Sequence, residues 1–325
     1  MTLPILMLML CLAGGGVAHA SATPLDGDGS QATMSDAGHT ADGTPDPVAA
    51  ADAIPETAST VQRRPVWEFG IGGGYFSGFD YPASSDSNRR GIALPFFVYR
   101  GPQWRFGGGG IRAVAIEQPR IKLDLSMGGS LNANSQGNSA REGMPDLDFL
   151  FEIGPQLEVG LLDRTMPSGG RVQLRFSAEL RAVMSTDFRR MDGRGVVLEA
   201  GFGVNYRNFR QSGIDLLAAL QSTYASERLQ DYFYEVAPVH ATEARPRFDA
   251  QGGYLESGLF AGIGLTPHRN LRLFMGVFSG WFDGARNEDS PLFETETSTG
   301  FAVGLVWTLK KSRRMVDVVE LGSNS

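Results

Sequence analysis

Side chains that commonly carry catalysis are scarce in this chain, which has four histidines and a single cysteine. His19 and His39 precede the first patterned segment, and His268 falls between two apolar runs. Only His240 stands in a long polar stretch with carboxylates near it in sequence, Asp231, Glu235 and Glu243. No second histidine accompanies it, so the stretch lacks a metal-ligand set. The run Asp26-Gly27-Asp28-Gly29-Ser30 opens like a calcium loop. Its sixth and twelfth positions would need Gly and Glu, and they hold Gln31 and Ala37. Gly107–Gly110 is not followed by Gly-Lys-Ser/Thr, so it is not a phosphate loop, and it suits a tight bend or a close side-chain approach. The reading is a protein with no catalytic residue, no metal site and no cofactor.

Composition narrows the class. Net charge is −7 and the sequence pI is about 5.2, a field that repels nucleic acid. Glycine supplies 42 of 325 residues, about twice the usual share, which argues against a helix-rich fold. Residues 1–20 read as a secretory signal peptide: an apolar run ends at Ala18-His19-Ala20, a small-x-small cleavage pattern, although no Lys or Arg precedes the run. Cys11 lies inside this segment and follows Leu10 rather than a small residue, which does not fit a lipidation site. Residues 21–62 are rich in Ala, Gly, Ser, Thr, Pro and Asp, and read as a disordered acidic linker.

From Val66 to Leu309 the pattern has period two. In "RVQLRFSAELRAVMS", residues 171–185, Val172, Leu174, Phe176, Ala178, Leu180, Ala182 and Met184 alternate with Arg171, Gln173, Arg175, Ser177, Glu179, Arg181 and Ser185. Val183 alone breaks the rule. Residues 147–161 alternate likewise, with Glu152 and Glu158 in the polar row and Leu150 as the exception. Residues 195–207, with Glu199 and Arg207 in the polar row, and 299–309 repeat the pattern. Alternation of this kind marks strands with one apolar and one polar face. No segment after the signal carries a convincing helical stripe.

Such a sheet can pack on another sheet, close around an apolar core, or close in lipid with its apolar face outward. The secretory signal and runs longer than the roughly 9–11 residues of a tilted membrane strand favour lipid. So does a polar row mixing charges with many glycines, which suits a crowded lumen. Glu152, Glu158, Arg171, Arg175, Glu179, Arg181, Glu199 and Arg207 are therefore expected to face the lumen. Phe69, Tyr75, Tyr206, Tyr224, Tyr254, Trp281 and Trp307 lie near proposed strand ends, where interface belts use aromatic residues.

Connections alternate between long (77–90, 133–145, 187–194, 225–248, 283–298) and short (100–103, 117–119, 162–170, 208–212, 266–269), as in transmembrane barrels. Periplasmic chain ends demand an even strand number. Splitting "QWRFGGGGIRAVAI" at Gly107–Gly110 gives twelve, and ten remains open. The fold expected is an all-β, antiparallel up-and-down transmembrane barrel over 63–309, followed by a periplasmic tail over 310–325. Lys310, Lys311, Arg313 and Arg314 in that tail read as a solvated stop, or as contacts to a partner or to anionic lipid. The longest outer loop, 225–248, mixes Tyr232, Phe233, Tyr234 and His240 with charges, and part of it is expected to fold onto the barrel.

The chain carries "YPASSDSNRRGIALPFFVYRG" leading into "WRFGGGGIR", then "GMPDLDFLFEIGPQLEVGL", "DYFYEV" at 231–236 and "DSPLF" before the final strand. In these motifs and their order it resembles the MipA/OmpV family of outer-membrane proteins. The resemblance implies an outer-membrane barrel in contact with lipid. It also suggests a scaffold that links a lytic transglycosylase to a peptidoglycan synthase, or else a narrow pore or surface adhesin. The sequence departs from the common barrel ending, because "KKSRRMVDVVELGSNS" follows Trp307-Thr308-Leu309.

Overall fold

The computed structural model describes residues 61–101, 104–106, 111–113, 116–117, 120–130 and 135–319. The signal peptide, all of the linker but its last two residues, Gly107–Gly110 and residues 320–325 lie outside the described residues. Ten strands of ten or more residues dominate: β2 (Trp67–Phe79), β3 (Ser87–Arg100), β7 (Ile121–Ser130), β8 (Phe149–Thr165) and β9 (Arg171–Thr186), then β10 (Met191–Arg207), β11 (Ile214–Ala225), β12 (Gly253–His268), β13 (Leu271–Trp281) and β14 (Thr297–Lys311). Three short pieces lie between β3 and β7: β4 (Trp104–Phe106), β5 (Ile111–Ala113) and β6 (Ile116–Glu117).

Every pairing described is antiparallel, and within the large sheet neighbours in space are neighbours in sequence except where β14 closes onto β2. The sheet runs from β5 through β3, β2 and β14 round to β7 and β6. Its outermost members, β5 and β6, are separated only by residues 114 and 115. Three Cα steps reach at most about 11 Å, so Ala113 and Ile116 at the two ends of the sheet lie close together and the sheet curls round on itself. The ten-strand and twelve-strand counts differ only in whether the short segment 104–117 is counted. β4 and β5 do pair with each other across 107–110.

The connections separate cleanly by end. Residues 80–86, 135–148, 187–190, 226–252 and 282–296 lie at one end, here the plug end. Residues 101, 120, 166–170, 208–213 and 269–270 lie at the other, the turn end. The expected long connection at 187–194 is shorter than its composition suggested. Met191–Gly193 still pair with Thr186–Met184, and a bulge at Gly193/Gly195 absorbs the irregularity.

Two further expectations are corrected. An α-helix, α1 (Glu227–Tyr234), sits in the longest loop. Two turns are too few to leave a readable stripe, and too few to be stable without tertiary packing. Its buried residues Leu229, Gln230, Phe233 and Tyr234 supply that packing. The tail is more ordered than a plain tail: β14 runs to Lys311, and β15 (Met315–Val319) pairs with β1 (Val61–Pro65) in a separate two-stranded sheet, while Lys310, Lys311, Arg313 and Arg314 are exposed. Among the described residues no helix is long and apolar enough to cross a membrane, which says nothing of crossing by strands.

The period-two rows resolve as inside and outside. Leu180, Leu198, Phe202, Met275, Val277 and Trp307 are about half exposed, whereas Gln173, Glu179 and Arg181 are buried. An apolar row facing out and a charged row facing in match lipid outside and a packed lumen inside. Of the proposed belt residues, Phe69, Tyr75, Tyr224, Trp281 and Trp307 are exposed, while Tyr206 and Tyr254 are partly covered. Leu180→Arg is expected to cost about 2–4 kcal/mol of assembly stability near the midplane, and Arg175→Leu much less. Heat-modifiable gel migration of the two variants checks this. Greater damage from Arg175→Leu would mean that the faces are reversed.

Candidate functional site: the lumen wall and its plug

Strand register builds a polar row across the lumen wall. Asp124 on β7 lies opposite Gln156 on β8, which lies opposite Glu179 on β9. Glu179 faces Glu199 on β10, Glu199 faces Thr223 on β11, and Thr223 faces Glu256 on β12. All six are buried. Glutamates directly opposite each other repel unless a cation stands between them. Arg181, two residues on from Glu179 along β9 and so on the same face, supplies it. Its Nε donates to Glu152 Oε2 at 2.9 Å, its Nη1 to Glu179 Oε2, and its Nη2 to Glu199 Oε2 at 3.3 Å. The guanidinium is fully buried, and no other side chain could reach three carboxylates with the same fork of donors. Close approach of β8 helps: a Cβ on Gly154 would sit 1.9 Å from Leu180 O.

Two lesser clusters continue the ladder. Lys122 Nζ lies 2.8 Å from both Asp124 Oδ2 and Glu158 Oε2. Nearer the turn end, Arg171 Nη2 and Gln173 Nε2 donate to Asp163 Oδ2 at 2.9 and 2.8 Å. Arg175 and Arg207 are half-buried on the same inward row. The eight lumen-facing residues expected from sequence thus all lie on one wall, and Arg181 joins three of them directly. Sequence reasoning missed Lys122, Asp124 and Asp163, because "IKLDL" is too short a run and 162–170 reads as a turn.

The opposite wall is aromatic. Phe274 faces Gly304 and Phe278 faces Gly300 across β13 and β14, while Phe260 covers Gly262 and Gly276. A Cβ at Gly304 would come within 2.1 Å of the Phe274 ring, so glycine there makes room for phenylalanine. Phe76, Phe79 and Phe282 extend this cluster toward the plug end.

The plug end is closed by its own loops. Leu150, Val183 and Val197 point inward and join Leu229, Phe233 and Tyr234 of α1, with Tyr81, Leu147, Val236 and Leu292, in one apolar cluster. The two exceptions in the sequence alternation, Leu150 and Val183, are therefore the inward residues on which the plug rests. Hydrogen bonds tie every long loop to α1. Tyr234 Oη donates to Pro82 O at 3.0 Å, Ser290 Oγ to Tyr234 O at 2.9 Å, and Arg141 Nη1 to Phe233 O at 3.0 Å. Arg194 lies over the Tyr232 ring at 4.4 Å, and the Tyr232 hydroxyl donates to Asp148 O. Burial pushes the Tyr232 hydroxyl up to about 12 and those of Tyr81 and Tyr234 well above the tyrosine range, so all three stay protonated. Desolvation also raises the Asp80 carboxyl, although Asn138 and Asn88 hydrogen-bond to it.

His240 takes part through its main chain only in the bonds described: Arg245 Nη2 donates to its carbonyl at 2.9 Å while Nη1 reaches Ala140 O at 2.8 Å. Among the described residues no group of three His, Cys, Asp or Glu side chains is placed to hold a metal ion. The arrangement binds elements together, and the loop carboxylates serve it: the Ser139 hydroxyl donates to Asp86 Oδ2 at 2.9 Å.

Arg181→Met is expected to destabilise the barrel by about 3–5 kcal/mol, because three buried carboxylates lose their shared cation. Adding Glu152→Gln should restore part of the loss. Urea midpoints of the folded band compare the two. A single variant as stable as the parent would show that the cluster carries no weight.

Comparison with curated proteins gave no match. Solved structures similar to this chain include the CymD monoaromatic hydrocarbon channel, with 10% identity, a TM-score of 0.27, and coverage of 74% of this chain and 88% of that one. OmpT of Vibrio cholerae, an outer membrane protein, is 8% identical with a TM-score of 0.30, covering 75% and 99%. The Escherichia coli outer membrane protease OmpT is 10% identical with a TM-score of 0.23, covering 78% and 98%. Likenesses this faint carry no argument. The family model described as MltA-interacting protein MipA matches residues 71–309, which run from within β2 to two residues short of the end of β14, and the chain belongs to that family.

Proposed function

We propose that this protein is a closed outer-membrane barrel of a Gram-negative envelope. In this reading it is an anchoring platform for peptidoglycan-remodelling enzymes, with no catalytic chemistry of its own. The observation that carries this reading is the plug: α1 and four loops form an apolar cluster seated on inward residues of the strands. A barrel sealed by dry packing is suited to holding things in place rather than passing them through. The family description supports a lytic transglycosylase of the MltA type as one partner; the reading adds a peptidoglycan synthase as the second member of the assembly. The turn end, where β1 and β15 draw the two ends of the barrel segment together, would face the periplasm and the partner.

A narrow pore is the second reading. The row of Glu179, Glu199 and Glu256 with Asp124 gives the wall an excess of carboxylates, which would favour cations if the plug moved.

Planar-bilayer recording separates the two. The full-length protein is expected to be silent, and a variant with 226–252 replaced by a short linker to conduct. Steady cation-selective conductance of the parent protein would favour the pore. In parallel, an MltA-type transglycosylase is expected to be retained on immobilised protein in detergent. Failure to retain it, with a folded barrel confirmed by heat modifiability, would remove the platform reading.

A further inference from the structure

The turn end carries an exposed basic patch that the lumen and plug do not use. The Asn270 carbonyl accepts the Thr308 N–H at 2.8 Å, and its side chain accepts from Lys311 Nζ at 3.4 Å. The β12–β13 turn therefore lies against the end of β14, and Arg269 adjoins Lys310 and Lys311. The chain then bends through Arg313 and Arg314, whose carbonyl accepts the Val66 N–H. All five cations are exposed. The nearby carboxylates are already engaged: Glu68 with Arg100 at 2.7 Å, and Asp317 with Arg63 at 3.8 Å.

Position distinguishes this patch from an ordinary solvated charge run. It is continuous with the outward wall of β14, where Phe301, Val303, Leu305 and Trp307 are exposed one above another. Lys310 pairs in register with Phe69, itself exposed on β2. Cations set directly below an aromatic and aliphatic wall lie where lipid phosphates begin. Four or more basic residues at such a boundary attract anionic headgroups.

We propose that Arg269, Lys310, Lys311, Arg313 and Arg314 form a binding surface for anionic phospholipid headgroups in the leaflet at the turn end. The proposal rests on the outer-membrane barrel reading, and adds the class of lipid and the place where it binds. The ammonium and guanidinium groups contact the phosphates, and Trp307 and Phe69 contact the upper acyl chains.

The probe is Trp307. The full chain, with Trp67, Trp104 and Trp281 changed to Phe, is folded into phosphatidylcholine vesicles containing brominated phosphatidylglycerol or brominated phosphatidylcholine. Quenching should give a relative association roughly fivefold in favour of phosphatidylglycerol at low salt. That preference should fall to parity in 1 M salt, where the screening length shrinks to about 3 Å. It should also vanish in Lys310→Gln/Lys311→Gln/Arg313→Gln/Arg314→Gln. Equal quenching by the two lipids in the unmodified patch would overturn the proposal and point to a protein partner for these cations. A preference that survives the fourfold substitution would overturn it too. Quenching by neither lipid would contradict the barrel reading itself. Should the single-tryptophan chain fail to fold, the natural chain's melting midpoint in the two kinds of vesicle replaces quenching. A midpoint raised by phosphatidylglycerol only when the four cations are present supports the surface, and no difference refutes it.

Discussion

Hydrocarbon accepts no unpaired backbone N–H or C=O, and the rest of this structure follows from that constraint. A strand that enters lipid must pair on both edges, so the sheet has to curl until its edges meet. Once it does, side chains at alternate positions have no choice of environment: one set faces lipid and the next faces the lumen. Polar residues on these strands are thereby forced inward together. Six of them, from Asp124 to Glu256, fall in register across adjacent strands, and their burial is what makes Arg181 necessary. The ion cluster is a consequence of closing the sheet, and it then resists any change of register. A slip of one residue would turn Arg181 toward lipid and Leu180 toward the carboxylates.

The lumen is filled in two different ways, and the difference follows strand composition. From β7 to β12 the inward positions carry charges that pair across strands, with carboxylates in excess. From β12 through β14 they carry phenylalanine opposite glycine, so that each ring lies over the space a side chain would have taken. The plug sits on the apolar inward residues of the plug end and closes the barrel above both walls. Its loops are held by hydroxyl and guanidinium donors aimed at main-chain carbonyls, and by the carboxylates of Asp80, Asp86 and Glu294, which accept from neighbouring loops.

Much of this was legible in the sequence because strand periodicity is a direct record of two environments. The rows of 171–185 separate as read, and Glu152, Glu179, Arg181 and Glu199 share one wall. Less legible was the meaning of the exceptions. Val183 and Leu150 look like noise in a one-strand pattern, and only the loops packed on them explain their type. Helix α1 escaped because it spans two turns whose buried residues include Gln230 and Tyr234, which read as polar or interfacial. The pairing of β1 with β15 escaped as well. "VQRRP" and "MVDVV" are far apart and short, and each alone resembles a linker or a tail. Contacts between distant short segments leave no local period to read.

The central claim is that β9 divides lipid from a sealed interior, and a nitroxide scan of residues 171–186 tests it most directly. Cys11 is the chain's only cysteine and lies in the segment read as a cleaved signal, so single cysteines can be placed along the strand without background. The account predicts that positions 174, 176, 178, 180 and 182 are reached by dissolved oxygen from the bilayer. Positions 179, 181 and 183 should be shielded both from oxygen and from a water-soluble nickel reagent. Ready access of the nickel reagent to 181 and 183 would reveal an open aqueous lumen. An inverted or absent period of two would contradict the division of faces itself.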